Sequence, residues 1–484
     1  MKRIPLLILF PFLLLSSDDI SEKIKNLEKE ISQLKAQVKM QQEDVDEHFP
    51  IIEKNEKHSI LDKLSLSPEI LLSLQKMDYN SGLIGNNGDQ TLIHDPYSPY
   101  NGLPRRDRYS KNFDASGYVR MRLNMQGNFD DVKFHGRLLY ANSSQSNERL
   151  CILSRDIKSA PGGSAFDVDR AYIDYTPNRY DGGRFTLSFG ILPTTGGTPM
   201  HYAQNKQRSS MFPALVFDMN TYGLIATQNL YDTMFIRAIV AKAYTLSEKF
   251  YPYQCNRENI DNANVYGIYS DVSFKFLGNS LLSFGVNLLD HLKAHPYLGP
   301  DIDASYAHDL GSMTTYGIGL DINNFLDTSS VIFVHTAASS PNSNGARDDY
   351  KIVNITEGTT DHNYTGFTEE DYASGTMLGK MGYSFYIGGK YNPIPTLAIG
   401  AEYNYGSKYW FAATQGAEDI FNKLALRGQA IEVYSIWNFY KQLNAKAGFL
   451  TMKEKYTGSG WHFGEPQKKD ARQNIYYLNL EARF

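Results

Sequence analysis

The chain has 484 residues, 42% of them hydrophobic and 21% charged, with a formal net charge of -5 and 2 cysteines. This polar average excludes a bundle of membrane helices, each of which needs about 20 consecutive apolar residues. Two cysteines exclude a disulfide-built scaffold, and the mild acidity gives no support for nucleic-acid binding.

In chain order, the apolar run Ile4–Leu15 stands behind Lys2 and Arg3. A charged start followed by a short greasy stretch reads as a secretory signal peptide over residues 1–17, although Leu15 and Ser17 depart from the small-x-small cleavage pattern. Next comes "ISEKIKNLEKEISQLKAQVKM", in which Ile20, Ile24, Leu27, Ile31, Leu34 and Val38 recur at spacings of four and three. That pattern predicts a coiled coil over 18–45. Its Ile at a and Leu at d lean toward two strands. At about 1.5 Å per residue it reaches far enough into the periplasm to touch peptidoglycan or to organise protomers. Residues 46–65 read as a polar linker.

From 66 to 484 the period changes to two. In "FDASGYVRMRLNMQ", Val119, Met121, Leu123 and Met125 alternate with Arg120, Arg122, Asn124 and Gln126. In "VKFHGRLLY", Val132, Phe134, Leu138 and Tyr140 alternate with Lys133, His135 and Arg137. A soluble β-sandwich also alternates, so length decides. The segments run about ten residues, the span of a tilted membrane strand. Short connections such as "GNFDD", "NLYD", "NPIP" and "YKQ" alternate with long ones, among them 193–220 and 338–380. Short turns at one end and long loops at the other predict an all-β fold, a transmembrane antiparallel β-barrel. Because bacterial barrels normally carry an even number of strands, "EILLSLQKMDYN" (Glu69–Asn80) is needed as the first, for a total of about sixteen, a size that leaves a water-filled lumen. The 34 Tyr and 26 Phe suit membrane interfaces. At the end, Tyr476, Leu478, Leu480, Ala482 and Phe484 form one apolar face, and the terminal aromatic resembles the signal read by barrel-assembly machinery.

Two stretches resemble a particular family: "YVRMRLNMQGNFDDVKFHGRLLYA" (Tyr118–Ala141) and "FGILPTTGGTPMHYAQNKQRSSMFPALVFDMNTYGL" (Phe189–Leu224). With the signal, the coil and the terminal Phe, they look like an uncharacterised family of outer-membrane, porin-like proteins of Gram-negative bacteria related to Campylobacter. The resemblance implies a fold and an outer-membrane location, in contact with lipid and lipopolysaccharide, more than it implies a substrate.

A porin acts through the shape and charge of its lumen. The inward candidates are basic on early strands (Arg120, Arg122, Lys133, His135, Arg137, Arg170 and Arg184) and acidic on late ones (Glu402, Glu432 and Glu481). Facing walls of opposite sign would select polar solutes. Alternatively each charge pairs with a neighbour, as Arg483 could with Glu481. The loop 193–220, rich in Gly, Pro and amides, is expected to fold inward as the constriction, bringing His201, Gln204, Lys206 and Arg208 to the channel. Cys151 and Cys255 fall in the loops on either side of it and are candidates for one bridge. The His and Asp residues between Asp290 and Asp309 match no standard metal spacing. No metal or cofactor is expected, and no nucleophile elbow, phosphate loop or zinc pair supports an enzyme.

The leading expectation is a channel for passive diffusion of small hydrophilic solutes, assembled as a trimer by porin analogy or as a dimer by the chemistry of the coil. The alternatives are a surface anchor with a plugged barrel and a substrate-specific uptake channel.

Overall fold

A strand that meets hydrocarbon on one face must have every backbone N–H and C=O paired, and a sheet satisfies this only by closing on itself. The computed structural model shows that closure. It describes residues 22, 24–39, 42, 63–80, 110–143, 163–177, 184–243, 258–259, 263–275, 278–294, 308–325, 329–345, 347–355, 367–376, 378–414, 418–456, 459, 466 and 468–484.

The barrel strands are β1 (Leu64–Asn80), β2 (Ser110–Phe129), β3 (Val132–Ser143), β4 (Gly163–Tyr175), β5 (Phe185–Leu192), β6 (Thr221–Tyr231), β7 (Met234–Ala243) and β8 (Asn264–Phe274). They continue with β9 (Ser280–Ala294), β10 (His308–Asn323), β11 (Val331–Ser343), β12 (Gly382–Ile394), β13 (Leu397–Gly406), β14 (Gly428–Tyr440), β15 (Leu443–Tyr456) and β16 (Lys468–Arg483). Each pairs antiparallel with its neighbours in sequence, and β1 pairs with both β2 and β16. That last seam runs in unbroken register from Glu69↔Arg483 to Asn80↔Arg472, so the segment needed to make the count even closes the ring. Outside the ring, Glu258–Asn259 pairs with the end of β9. Arg347–Ile355 and Phe367–Thr376 form a separate hairpin between β11 and β12.

Alternation sets the two faces. Leu72, Leu74, Met121, Leu224, Val240, Ile268, Ile318, Val334, Ile399, Val433 and Leu478 are all exposed on the outside. Their β-neighbours point inward. On β16, Tyr476, Leu478 and Leu480 face out while Ile475, Tyr477 and Glu481 are buried. Such a belt would be a liability in water, and it is the surface a bilayer covers. The short turns gather at one end, where Asp130 adopts the left-handed conformation (φ 50°) that a tight β2–β3 turn asks for. Tyr231, Tyr391, Trp437, Phe439, Tyr440 and Phe484 are exposed beside those turns, as an interfacial aromatic girdle requires. The barrel is therefore of the outer-membrane type.

In the separate N-terminal unit, residues 24–39 are helical. Ile24, Leu27, Ile31, Leu34 and Val38 remain exposed along the helix. The expected signal peptide, the linker up to residue 62, and Ile20 of the seam lie outside the described residues, and Leu64 and Ser65 at the linker's end already belong to β1.

The lumen departs most from expectation. Sixteen strands alone imply a water-filled tube, but two outer loops occupy it: L3 (residues 193–220), with the short helix α1 (Met200–Ala203), and L7 (residues 407–427). Phe212, Val216 and Phe217 of L3 and Trp410 and Phe411 of L7 join Tyr269, Leu289, Phe333 and Tyr386 of the wall in one buried cluster. Phe212 meets Tyr269 edge-on at 4.5 Å between centroids. Each large side chain buried this way is worth about 1.5–3 kcal/mol, so the loops have a dry core of their own.

Two wall glycines explain how closely the loops sit. A Cβ on Gly317 would lie 2.8 Å from Val216 Cγ2 and 2.5 Å from the Thr336 carbonyl oxygen, and one on Gly406 would lie 2.0 Å from the Leu426 carbonyl oxygen. The second contact is backbone against backbone and cannot be relieved by a rotamer change. Gly406→Ala is accordingly expected to lift L7 from β13 and to destabilise the barrel by about 1–3 kcal/mol. Loss of the folded electrophoretic band at a lower temperature than in the wild type would measure it.

Candidate functional site: the inner loops and the charges that hold them

Three of the early-strand arginines lie side by side. Arg120 and Arg122 alternate inward on β2, and Arg137 stands on β3 where Asn124 faces it across the ladder. All three are nearly inaccessible to solvent. Their charge is answered on the spot. Arg137 makes a two-pronged contact with Asp169 of β4, at 2.7 and 2.6 Å. Arg122 binds Glu418 of L7 at 2.8 Å. Arg120 lies 3.8 Å from Glu418 and 3.9 Å from Glu69 of β1. Burial alone would raise the pKa of Glu418. The nearby guanidinium groups of Arg122, Arg120 and Arg137, together with Lys206, overrule that and hold it well below the usual carboxylate range.

The late-strand acids form a second cluster, likewise completed by L7. Lys423 binds Glu402 of β13 at 2.6 Å and also Glu432 of β14. Lys446 of β15 reaches Glu432 at 2.8 Å and lies 4.2 Å above the ring of Tyr434. Tyr386 and Tyr434 donate to Glu402, and Tyr477 donates to Glu432. Burial would strip Lys423 of its proton, but the two glutamates raise its pKa well above the ordinary lysine value. Thus L7 gives an anion to the basic wall and, five positions later, a cation to the acidic wall.

L3 crosses between these clusters. Lys206 binds Glu69 of β1, and Glu481 of β16 at 2.8 Å. Arg208 shares Asp271 of β8 with Arg237 of β7, at 2.5 and 2.9 Å. Thr198 donates to Asp321 of β10, which also holds His335 at 2.7 Å. Arg170 donates to the Thr195 carbonyl at 2.9 Å, and Arg483 to the carbonyls of Gln204 and Asn205. Arg483 also pairs with Glu481. The His201 ring lies 3.9 Å from that of Tyr202 between centroids, tilted by 39°, and burial pushes its pKa down to about 3, leaving it neutral.

Three of the predicted basic residues stand apart from the arginine cluster. Lys133 is exposed beside the β2–β3 turn. His135 pairs with Asp174 at 3.1 Å and stacks on Tyr172. Arg184 is exposed in the turn before β5. Cys151 and Cys255 lie outside the described residues. Of the histidine and acid group around 290–309, His291 pairs with Asp309 at 2.8 Å. Among the described residues no cluster of three or more His, Cys, Asp and Glu is placed to hold a metal ion.

Sequence reasoning missed Glu69, Asp169, Asp271, Glu418 and Lys423. Asp169 and Asp271 could have been found from their inward register. Glu418 and Lys423 sit in a segment that reads only as an outer loop.

A closed sixteen-stranded ring with a greasy exterior, and with charged, loop-filled insides, defines an outer-membrane β-barrel of porin-like architecture. The chain belongs to the family described as protein of unknown function DUF3373, whose model matches residues 110–481. No curated protein matches it. Among solved structures it is similar to Pseudomonas putida OprB at high pH, with 10% identity over 88% of this chain and 95% of that one and a TM-score of 0.45. It is also similar to the outer membrane channel DcaP of Acinetobacter baumannii (12% identity, 87% and 97% coverage, TM-score 0.42). A third is Salmonella typhi OmpF in complex with daunomycin (11% identity, 87% and 97% coverage, TM-score 0.42).

Removing one partner of a buried ion cluster costs about 3–5 kcal/mol, because the remaining charges stay buried. Glu418→Gln should therefore destabilise the barrel by roughly 3 kcal/mol or more. Pairing it with Arg122→Gln should recover part of the loss. Denaturant unfolding of the three variants in one detergent reads both effects, and equal stability of Glu418→Gln and wild type would contradict the cluster.

Proposed function

We propose that this barrel is an outer-membrane channel for passive diffusion of small hydrophilic solutes and ions. L3 is its constriction, and the basic early strands and acidic late strands form its filter. The observation that carries the reading is L3 itself, which crosses the lumen and is tied by Lys206 to β1 and β16 and by Arg208 to β8. Beside it lies a cavity of about 70 Å³, lined among others by Arg120, Gln204, Lys446, Glu432, Asn479 and Glu481. That is room for a few water molecules. The cavity is narrow and lined by apolar as well as charged side chains, which favours small solutes and a low conductance over a general wide pore.

The dry core between L3, L7 and the wall favours a second reading, a plugged barrel that anchors an adhesive or structural surface. A uptake channel for one bound substrate is a third. Current separates them: a plugged anchor passes none, and a specific substrate blocks what a passive channel conducts. The exposed seam of helix 24–39 supports self-association of the coil, in two or three copies, within reach of peptidoglycan.

Deleting Gly196–Gln207 removes α1 and the Lys206 anchor. It is expected to raise single-channel conductance in planar bilayers several-fold. An unchanged conductance in a correctly folded deletion would end the constriction reading.

A further inference from the structure

The carboxylates buried around the inner loops have cations beside them: Asp169 has Arg137, Asp271 has Arg208 and Arg237, and Glu418 has Arg122. Asp218, at the end of L3, has none among the described residues. It is 0% exposed. Its Oδ1 accepts the Gly196 N–H at 2.7 Å, and its Oδ2 accepts the Thr414 hydroxyl of L7 at 3.3 Å. Its own backbone N–H donates to the Ala413 carbonyl at 2.7 Å, and Asp218 and Thr414 form a parallel bridge. This residue is the point where the two inner loops are stitched together. The charged groups acting on it, Glu418 and Asp419 of L7, both carry its own sign. From the wall, Arg170 reaches the Thr195 carbonyl next to Gly196 and not this carboxylate.

We propose that Asp218 is a proton-binding site that controls the inner loops: protonated, it pins L3 to L7, and ionised, it releases them and widens the passage. This rests on the channel reading and adds regulation to it. A neutral acid fits the site, since one oxygen still accepts from Gly196 and the other faces a hydroxyl that can donate or accept. An anion there has two hydrogen bonds, no cation, and two acids nearby. Burial, foremost, and repulsion by Glu418 push the Asp218 pKa up to about 7. Once the loops part and water reaches the group, it titrates like an ordinary aspartate. The pinned state therefore holds the proton more tightly. Its advantage is complete below the ordinary aspartate range, falls by up to tenfold in population per pH unit between that range and about pH 7, and is gone above it.

The test compares wild type, Asp218→Asn and Thr414→Val, each as the full chain in planar bilayers and in detergent. Asn keeps both hydrogen bonds without a titratable charge, and Val removes the hydroxyl that favours the ionised form. Wild-type conductance should rise several-fold between pH 6 and pH 8.5. Asp218→Asn should stay at the low level throughout, and Thr414→Val should shift the midpoint upward, a change that mere loosening of the loop would not produce. Amide exchange of L3 and L7, corrected for the intrinsic rate, should follow the same three patterns. Absence of current at every pH, with the exchange pattern intact, would overturn the channel reading and leave the pin standing. A pH response shared by wild type and Asp218→Asn in both measurements would overturn the pin.

Discussion

In hydrocarbon an unpaired backbone amide or carbonyl costs several kcal/mol, and the rest of this molecule follows from meeting that constraint. Closing sixteen strands meets it for the wall. Closure also fixes a lumen too wide for wall side chains alone to fill, so the inside must hold either water or more protein. Here it holds L3 and L7, brought in over glycines that let loop backbone lie against the wall, as Leu426 does at Gly406. The greasy exterior and the crowded interior are thus two consequences of a single geometric requirement.

Filling the tube creates an electrostatic difficulty that an open pore avoids. Inward arginines facing water would need no partners, but once L7 covers them each must be paired or the fold is lost. The solution is distributed across elements distant in sequence: Glu69 from the first strand, Asp169 from the fourth, Glu418 from the seventh outer loop. The acidic wall is treated the same way, with Lys423 set between Glu402 and Glu432. Neither wall therefore presents a bare stripe of charge. On both walls the charge is answered at short range by a partner from another element.

The wall was legible from the sequence because period two, turn chemistry and strand length are local signals. The register of "NIYYLNLEARF", with Tyr476 and Leu478 out and Tyr477 and Glu481 in, could be read directly. So could the need for a first strand at Glu69–Asn80, which closes against β16. The inward fold of L3 was anticipated from its length and composition. L7 was not, because "AEDIFNKLALRG" carries no period that distinguishes a loop lying in water from one lying in a lumen. Its Trp410 contacts and the partners of Glu418 and Lys423 are nonlocal, set by which strands the closed ring brings face to face. Pairing across the lumen cannot be read before the ring is known.

The interior is also asymmetric, and this decides which side of it can yield. Against β8–β11, L3 presents Phe212, Val216 and Phe217 to Tyr269, Leu289 and Phe333, a dry contact whose separation would expose apolar surface with nothing to replace it. Against β1 and β14–β16 it presents Lys206 and backbone carbonyls to Glu69, Glu481 and Arg483, beside a cavity lined by both charged and apolar side chains. There, water can replace each protein partner, so parting the surfaces forfeits far less. The apolar side thus acts as the fixed edge of L3 and the ionic side as the free one. A loop seated this way is held more firmly at its greasy edge than along the β1 and β14–β16 wall, where its contacts are ionic.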